Sequence, residues 1–187
     1  YSSLFESSFK GISRLDHLVL KVCDFENFKT ESFRYVPNVE SRVIYSPKNL
    51  NGGDLNELSK LKSLTLMGSS ALFKVLKHGN LKNLSLLFDD EFFDAKSISG
   101  FPKLKDLFLF YFVFYFVGDM ETLIDINNIN LNYDFLSCLE SLELSNFQFN
   151  RLSDGVFSHL KSLEKLNING GKIRELKPQV FDGLNKL

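Results

Sequence analysis

The sequence predicts an α/β solenoid, a right-handed coil repeated along one axis with a parallel β-sheet on its concave face. Three observations predict it. Leu-x-x-Leu-x-Leu recurs through the chain at intervals close to 24 residues. Within each copy the apolar positions alternate, as on a strand with one buried face. The 187 residues include 20 Phe and no Trp, a surplus that fits many equivalent sites each taking one large ring.

The copies run in order. "LDHLVLKVCDF" starts at Leu15, a degenerate "VESRVIYSPKN" at Val39, "LKSLTLMGSSA" at Leu61 and "LKNLSLLFDDE" at Leu81. "LKDLFLFYFVF" starts at Leu104, "LESLELSNFQF" at Leu139 and "LEKLNINGGKI" at Leu163, with Leu187 where another would begin. The starts lie 24, 22, 20, 23, 35, 24 and 24 residues apart, which predicts about seven to eight repeats. After each strand a second segment returns along the far side on its own apolar anchors. These are Leu152, Phe157 and Leu160 in one copy, Leu176, Phe181 and Leu184 in the next, and Phe9, Ile12 and Leu15 ahead of the first strand. One coil cannot bury its own core, so stacked neighbours supply the stability. Residues 1–187 are expected to form a single array with no caps visible, interrupted by an irregular insertion at about 115–136, where the spacing widens to 35. The chain opens in mid-pattern without an initiator Met and is read as a piece of a longer protein.

These residues resemble the leucine-rich repeat family. Phe157 to Leu187, "FSHLKSLEKLNINGGKIRELKPQVFDGLNKL", is similar to the 24-residue unit of its extracellular animal subclass, "VFDGL" at Val180 to Leu184 above all. Toll-type ectodomains are built from such units. The resemblance implies a non-catalytic, protein-binding segment of a receptor-like or secreted ectodomain, extracellular or at the cell surface, that signals in innate immunity. An intracellular adaptor or substrate-recognition array, and a structural spacer without a ligand, are the alternatives. The chain departs from the family where an Asn usually ends each strand: Cys23, Ser69, Asp89, Phe112, Phe147 and Gly171 stand there. Phe112, Phe147 and Gly171 have no side chain for the turn's hydrogen bonds, so irregularity is expected at them.

The run "LFLFYFVFYFV", Leu107 to Val117, is too short to span a bilayer, which needs about 20 apolar residues. Placed in register, Leu104, Leu107, Leu109, Phe112 and Phe114 point into the core, and Phe108, Phe110 and Tyr111 point outward. Leu87 and Phe88 are expected outward on the neighbouring strand. Phe88, Phe108, Phe110 and Tyr111 would then form an apolar patch on a concave face otherwise lined by Thr65, Glu143, Asn167 and Asn169. Exposed apolar patches of that kind mark interaction surfaces. The expected partner is a protein ligand or co-receptor, with self-association also open. The other reading is that the insertion after Val117 folds over these rings.

Little else carries chemistry. Lys and Arg total 22 against 23 Asp and Glu, which argues against nucleic acid as a partner. No nucleophile, base and orienting acid can be assembled, no cofactor motif is present, and no enzyme is expected. His17, His78 and His159 fall in different copies without a second ligand at metal spacing and are read as surface or rim residues. "DDEFFD", Asp89 to Asp94, matches no calcium loop and reads as a solvated turn. "GGK" at Gly170 lacks the flanks of a phosphate loop and reads as a turn. Cys23 and Cys138 lie five strand spacings apart, about 24 Å, beyond the roughly 7 Å a disulfide tolerates. Both are expected as buried free thiols, unless one pairs elsewhere in a longer chain. "NLS" at Asn83 to Ser85 is a glycosylation sequon, expected outward and close to Phe88.

Overall fold

The computed structural model describes residues 9–20, 30–45, 58–68, 77–88, 93–111, 129–147 and 151–187. Among the described residues seven strands form one parallel sheet in chain order: β1 (His17–Leu20), β2 (Ser41–Tyr45), β3 (Ser63–Met67), β4 (Asn83–Phe88), β5 (Asp106–Tyr111), β6 (Ser141–Ser145) and β7 (Lys165–Asn169). Each strand begins two residues after the first Leu of its copy, or the Val at Val39. Every pair is in register copy for copy, so Leu18, Arg42, Leu64, Leu84, Leu107, Leu142 and Leu166 stand side by side. Ahead of the strands the coils are bonded as well. Each second-position amide donates to the second-position carbonyl of the coil before, as Lys82 N–H does to Lys62 O at 2.9 Å.

The return segments carry short 3-10 turns at Thr30–Tyr35, Ala95–Ile98, Asp134–Leu136 and Pro178–Phe181. Asp94 caps one of them, accepting from Lys96 N–H at 2.9 Å, which satisfies an otherwise orphaned donor. Leu152, Phe157 and Leu160 are fully buried behind the sheet, as their spacing requires. Phe9 stacks on Phe33 at 5.9 Å between the first two coils. Ile12 and Leu176, expected as anchors, are 47% and 49% exposed because they lie in the outermost described coils.

The degenerate second copy places Arg42 where its neighbours have Leu. The side chain is buried, and its guanidinium carbon stands 3.4 Å from the centre of the Phe33 ring. A cation over an aromatic face recovers part of the hydration that burial removes.

Four expectations need correction. Phe88 and Tyr111 are buried, not outward. Strands β4 and β5 extend to these residues, so the two-residue alternation that turns Leu86 and Leu109 inward turns them inward too. They join Phe93 and Phe147 in an aromatic cluster: Phe88 lies 4.9 Å from Phe93, 6.1 Å from Tyr111 and 6.1 Å from Phe147, and Tyr111 stacks on Phe147 at 6.3 Å. The loss of a turn Asn at Phe147 is met by its neighbour. Asn146 takes a left-handed backbone at φ 64° and donates from Nδ2 to Tyr111 O at 2.7 Å on the preceding coil. His78 is buried rather than at the rim: Nδ1 accepts from Asn80 N–H, which leaves Nε2–H to donate to Leu58 O at 2.8 Å on the coil before. Cys138 is an exposed free thiol, because it precedes Leu139 instead of occupying an inward position.

Phe112, Phe114, Cys23, Ser69 and Asp89 lie outside the described residues, as does the expected insertion up to residue 128. Within the described part of that range Ile129, Leu131 and Leu136 are buried, and Tyr133 Oη donates to Asp94 at 2.9 Å. That bond and burial raise the Tyr133 phenol above its ordinary value.

The aromatic cluster sets a test of parity. Phe147→Ala should cost about 3–5 kcal/mol, the usual range for emptying a buried ring. Phe110→Ala, on the outward face, should cost about 1 kcal/mol or less. Urea denaturation followed by circular dichroism checks both, and equal losses would contradict the assigned faces.

Candidate outward-face recognition site

The outward side chains form rows across the strands. In the middle row Val19, Val43, Thr65, Ser85, Phe108, Glu143 and Asn167 are register partners; in the last row Met67, Leu87, Phe110, Ser145 and Asn169 are. Phe108 and Phe110 lie two residues apart on β5 and are half-buried, with ring centres 6.2 Å apart. Met67 and Leu87 are half-buried beside Phe110 in its row. Of the four aromatic residues the sequence points to, the structure therefore places two on this face, and Leu87 and Met67 complete the apolar area.

Across β6 and β7 the face turns polar. Ser145 Oγ donates to Glu143 Oε1 at 3.2 Å, and Asn169 Nδ2 reaches Glu143 Oε1 and Ser145 Oγ, each at 3.3 Å. Glu143 is thus held beside Phe108, its register partner. Apolar and anionic groups meet along the boundary between β5 and β6, which suits a ligand carrying an apolar side chain near a donor.

Asn83 is exposed at the start of β4 and donates from Nδ2 to Asp106 Oδ2 at 2.5 Å. Phe88 faces the core, so a sugar on Asn83 would not meet it. Asn83 is one strand from Phe108 and level with Asp106, two residues earlier, about 7 Å along the strand direction.

Immediately ahead of the strands runs a charged row; the sequence marks Lys62, Glu140 and Glu164 as polar outward positions, and the register joins them to the second position of all the other copies. The row reads Asp16, Glu40, Lys62, Lys82, Lys105, Glu140 and Glu164, joined by successive backbone bonds of 2.7–2.9 Å. Lys62 Nζ pairs with Glu40 at 2.8 Å, and Lys105 Nζ pairs with Glu140. Chiefly through its hydrogen bond to Glu140, and then that carboxylate's charge, Lys105 titrates above the ordinary lysine value. The pair is therefore complete below the ordinary lysine range and is lost as pH rises through the higher Lys105 value. A carbon-detected titration of the lysine side chains should find Lys105 above the ordinary range, and Glu140→Gln should bring it down; no change with that variant would contradict the pairing.

Among the described residues no helix is long and apolar enough to cross a membrane, and no group of three potential ligands could hold a metal ion. Asp94 of the acidic run is engaged as a cap and as acceptor for Tyr133. Gly170 and Gly171, at φ 106° and 76°, form the turn expected after β7.

A leucine rich repeat model matches residues 137–187. No curated protein matches the chain. Among 41 matching chains of solved structures is one from the crystal structure of the TLR13-ssRNA13 complex, at 20% identity and a TM-score of 0.51. The match covers 86% of this chain and 26% of that one, so this chain spans about a quarter of its length. At that identity the likeness is one of fold. Residues 137–187 thus match leucine-rich repeats, and the in-register coil of which they are part is similar in fold to TLR13.

Proposed function

We propose that this chain is a non-catalytic, protein-binding segment of a receptor-like protein, displayed outside the cell, that engages its ligand or co-receptor on the outward face of the sheet. The observation that carries the reading is the pair Phe108 and Phe110, set in rows that are polar on β6 and β7. Half-buried rings set side by side are the kind of anchor on which binding energy concentrates. Met67 and Leu87 widen the apolar floor, and Glu143 fixes orientation from one side. A repeat array suits this role, because each coil adds one strand's side chains to a continuous surface. Signalling in innate immunity is the wider setting that the TLR13-like fold suggests. That neighbour is in a complex with ssRNA13. Here the aromatic pair, the Glu143 carboxylate and a net charge of −1 favour a protein in the ligand's place. A glycan on Asn83, if the chain is secreted, would border this surface without covering Phe110.

The test uses the full-length protein in the cells that make it. A photo-crosslinking residue at position 110 should capture one defined protein, and the same residue at 167 should not. Phe108→Ser with Phe110→Ser should reduce recovery of that protein by about tenfold or more, while the melting temperature moves by only a few degrees. Undiminished recovery with an intact fold would overturn the assignment.

A further inference from the structure

We infer that the lysine edge ahead of β3, β4 and β5 receives a short acidic segment of the protein partner, a reading that rests on the outward face being a protein-binding surface. Two aligned rows define the edge. In the second-position row Lys62, Lys82 and Lys105 follow one another between Glu40 and Glu140, with backbone bonds of 2.9, 2.9, 2.8 and 2.7 Å along the sequence of five. In the row before it, Lys60 and Lys103 are each bonded to the Asn of the preceding coil: Lys60 Nζ donates to Asn38 Oδ1 at 2.7 Å, and Lys103 Nζ to Asn80 Oδ1 at 3.0 Å.

The partners decide where charge remains. Glu40 and Glu140 engage Lys62 and Lys105 at the two flanks. Lys82, exposed between them, makes no ion pair among the described residues. Asn38 and Asn80 hold the ammonium groups of Lys60 and Lys103 in place without cancelling their charge. Two positioned cations and one free one therefore share a stretch of three strands. At about 4.8 Å per strand the stretch is about 10 Å long, and acidic residues close it on both sides: Asp16 and Glu40, then Glu140 and Glu164.

That bracketing identifies the occupant. A nucleic acid strand carries its charge at every step and would extend over the glutamates within a screening length of about 8 Å. A protein segment can place two or three carboxylates over the lysines and neutral or basic residues beyond them. The edge is also continuous with the aromatic site, since Phe108 follows Lys105 by three residues, about 10 Å along β5. One partner can set an apolar side chain on the rings and its acidic segment on the lysines. Rim charges of this kind govern the rate of encounter and the choice of partner.

The test measures fluorescence anisotropy with the full-length protein and a fluorescein-labelled hexaglutamate peptide flanked by glycine and serine, at low salt. The peptide should bind, and weaken as salt rises. Lys82→Glu with Lys103→Glu should lower its affinity by about tenfold, and the milder Lys82→Ala by about threefold, with unchanged melting curves. Phe108→Ser with Phe110→Ser should leave it within about twofold, so this assay can fail while the crosslinking result stands, and the reverse. Absence of peptide binding, unchanged affinity in the lysine variants, or tighter binding of a single-stranded RNA hexamer than of the peptide would each overturn the inference.

Discussion

The structure depends on one constraint: seven parallel strands stack with no offset, so a position in one copy touches the same position in the next. Register in a sheet with one buried face is strongly specified, because a slip of one residue would turn every core side chain outward. The Leu at the fourth place of every copy but the second, where Arg42 stands, enforces this along the array, and the backbone bonds ahead of the strands repeat the same lateral step. Anything that recurs at a fixed place in the sequence consequently becomes a line across the molecule. Lines of Leu make the core, a line of charge with three lysines bracketed by acidic residues makes one edge, and the outward rows make the face. The chemistry of the surface is thus a one-dimensional list read sideways.

The strand ends show what happens when a repeat loses its polar landmark. An Asn at that place would close the turn by hydrogen bonding to the next coil. Here Phe88, Tyr111 and Phe147 crowd the same region and meet Phe93 from the return segment. Burial of rings takes over cohesion between coils β4, β5 and β6, while Asn146 supplies one polar link from a neighbouring position. His78 does comparable work on the return side, tying its coil to Leu58 O. These substitutions keep the coils joined by different means at each level, which explains why copies of unequal length still share one sheet.

Much of this was legible in the sequence, because period and alternation report directly on the buried stripe. Strand starts, their order and the buried Leu rows follow from the copies at Leu15 to Leu163. Arg42 and the degenerate copy also fell into line, since register is set by the neighbours as much as by the residue itself. Phe88 and Tyr111 were misplaced for a definite reason. The family pattern ends a strand before the turn Asn, and without that Asn the strand runs on, so alternation rather than the pattern decides which way the ring points. His78 and Cys138 were misread because burial on the return side depends on which groups of the next coil lie opposite, and a single copy does not contain that information. The charged row was visible letter by letter but carried no meaning until the coils were laid side by side.

The site divides along the same lines. Phe108 and Phe110 face outward only because β5 alternates strictly, and the parity that exposes them is the one that buries Leu107, Leu109 and Tyr111. A single inserted residue in β5 would exchange the two sets, losing the aromatic face and the core together. The buried and outward sets in this strand thus share one register, although an outward ring can be replaced singly without emptying the core. The lysine edge is different, since its side chains lie ahead of the sheet and outside the buried core, and are tied to neighbouring coils only by surface ion pairs and hydrogen bonds. Substitution is therefore confined by packing in the strand and by surface contacts and solvation at the edge.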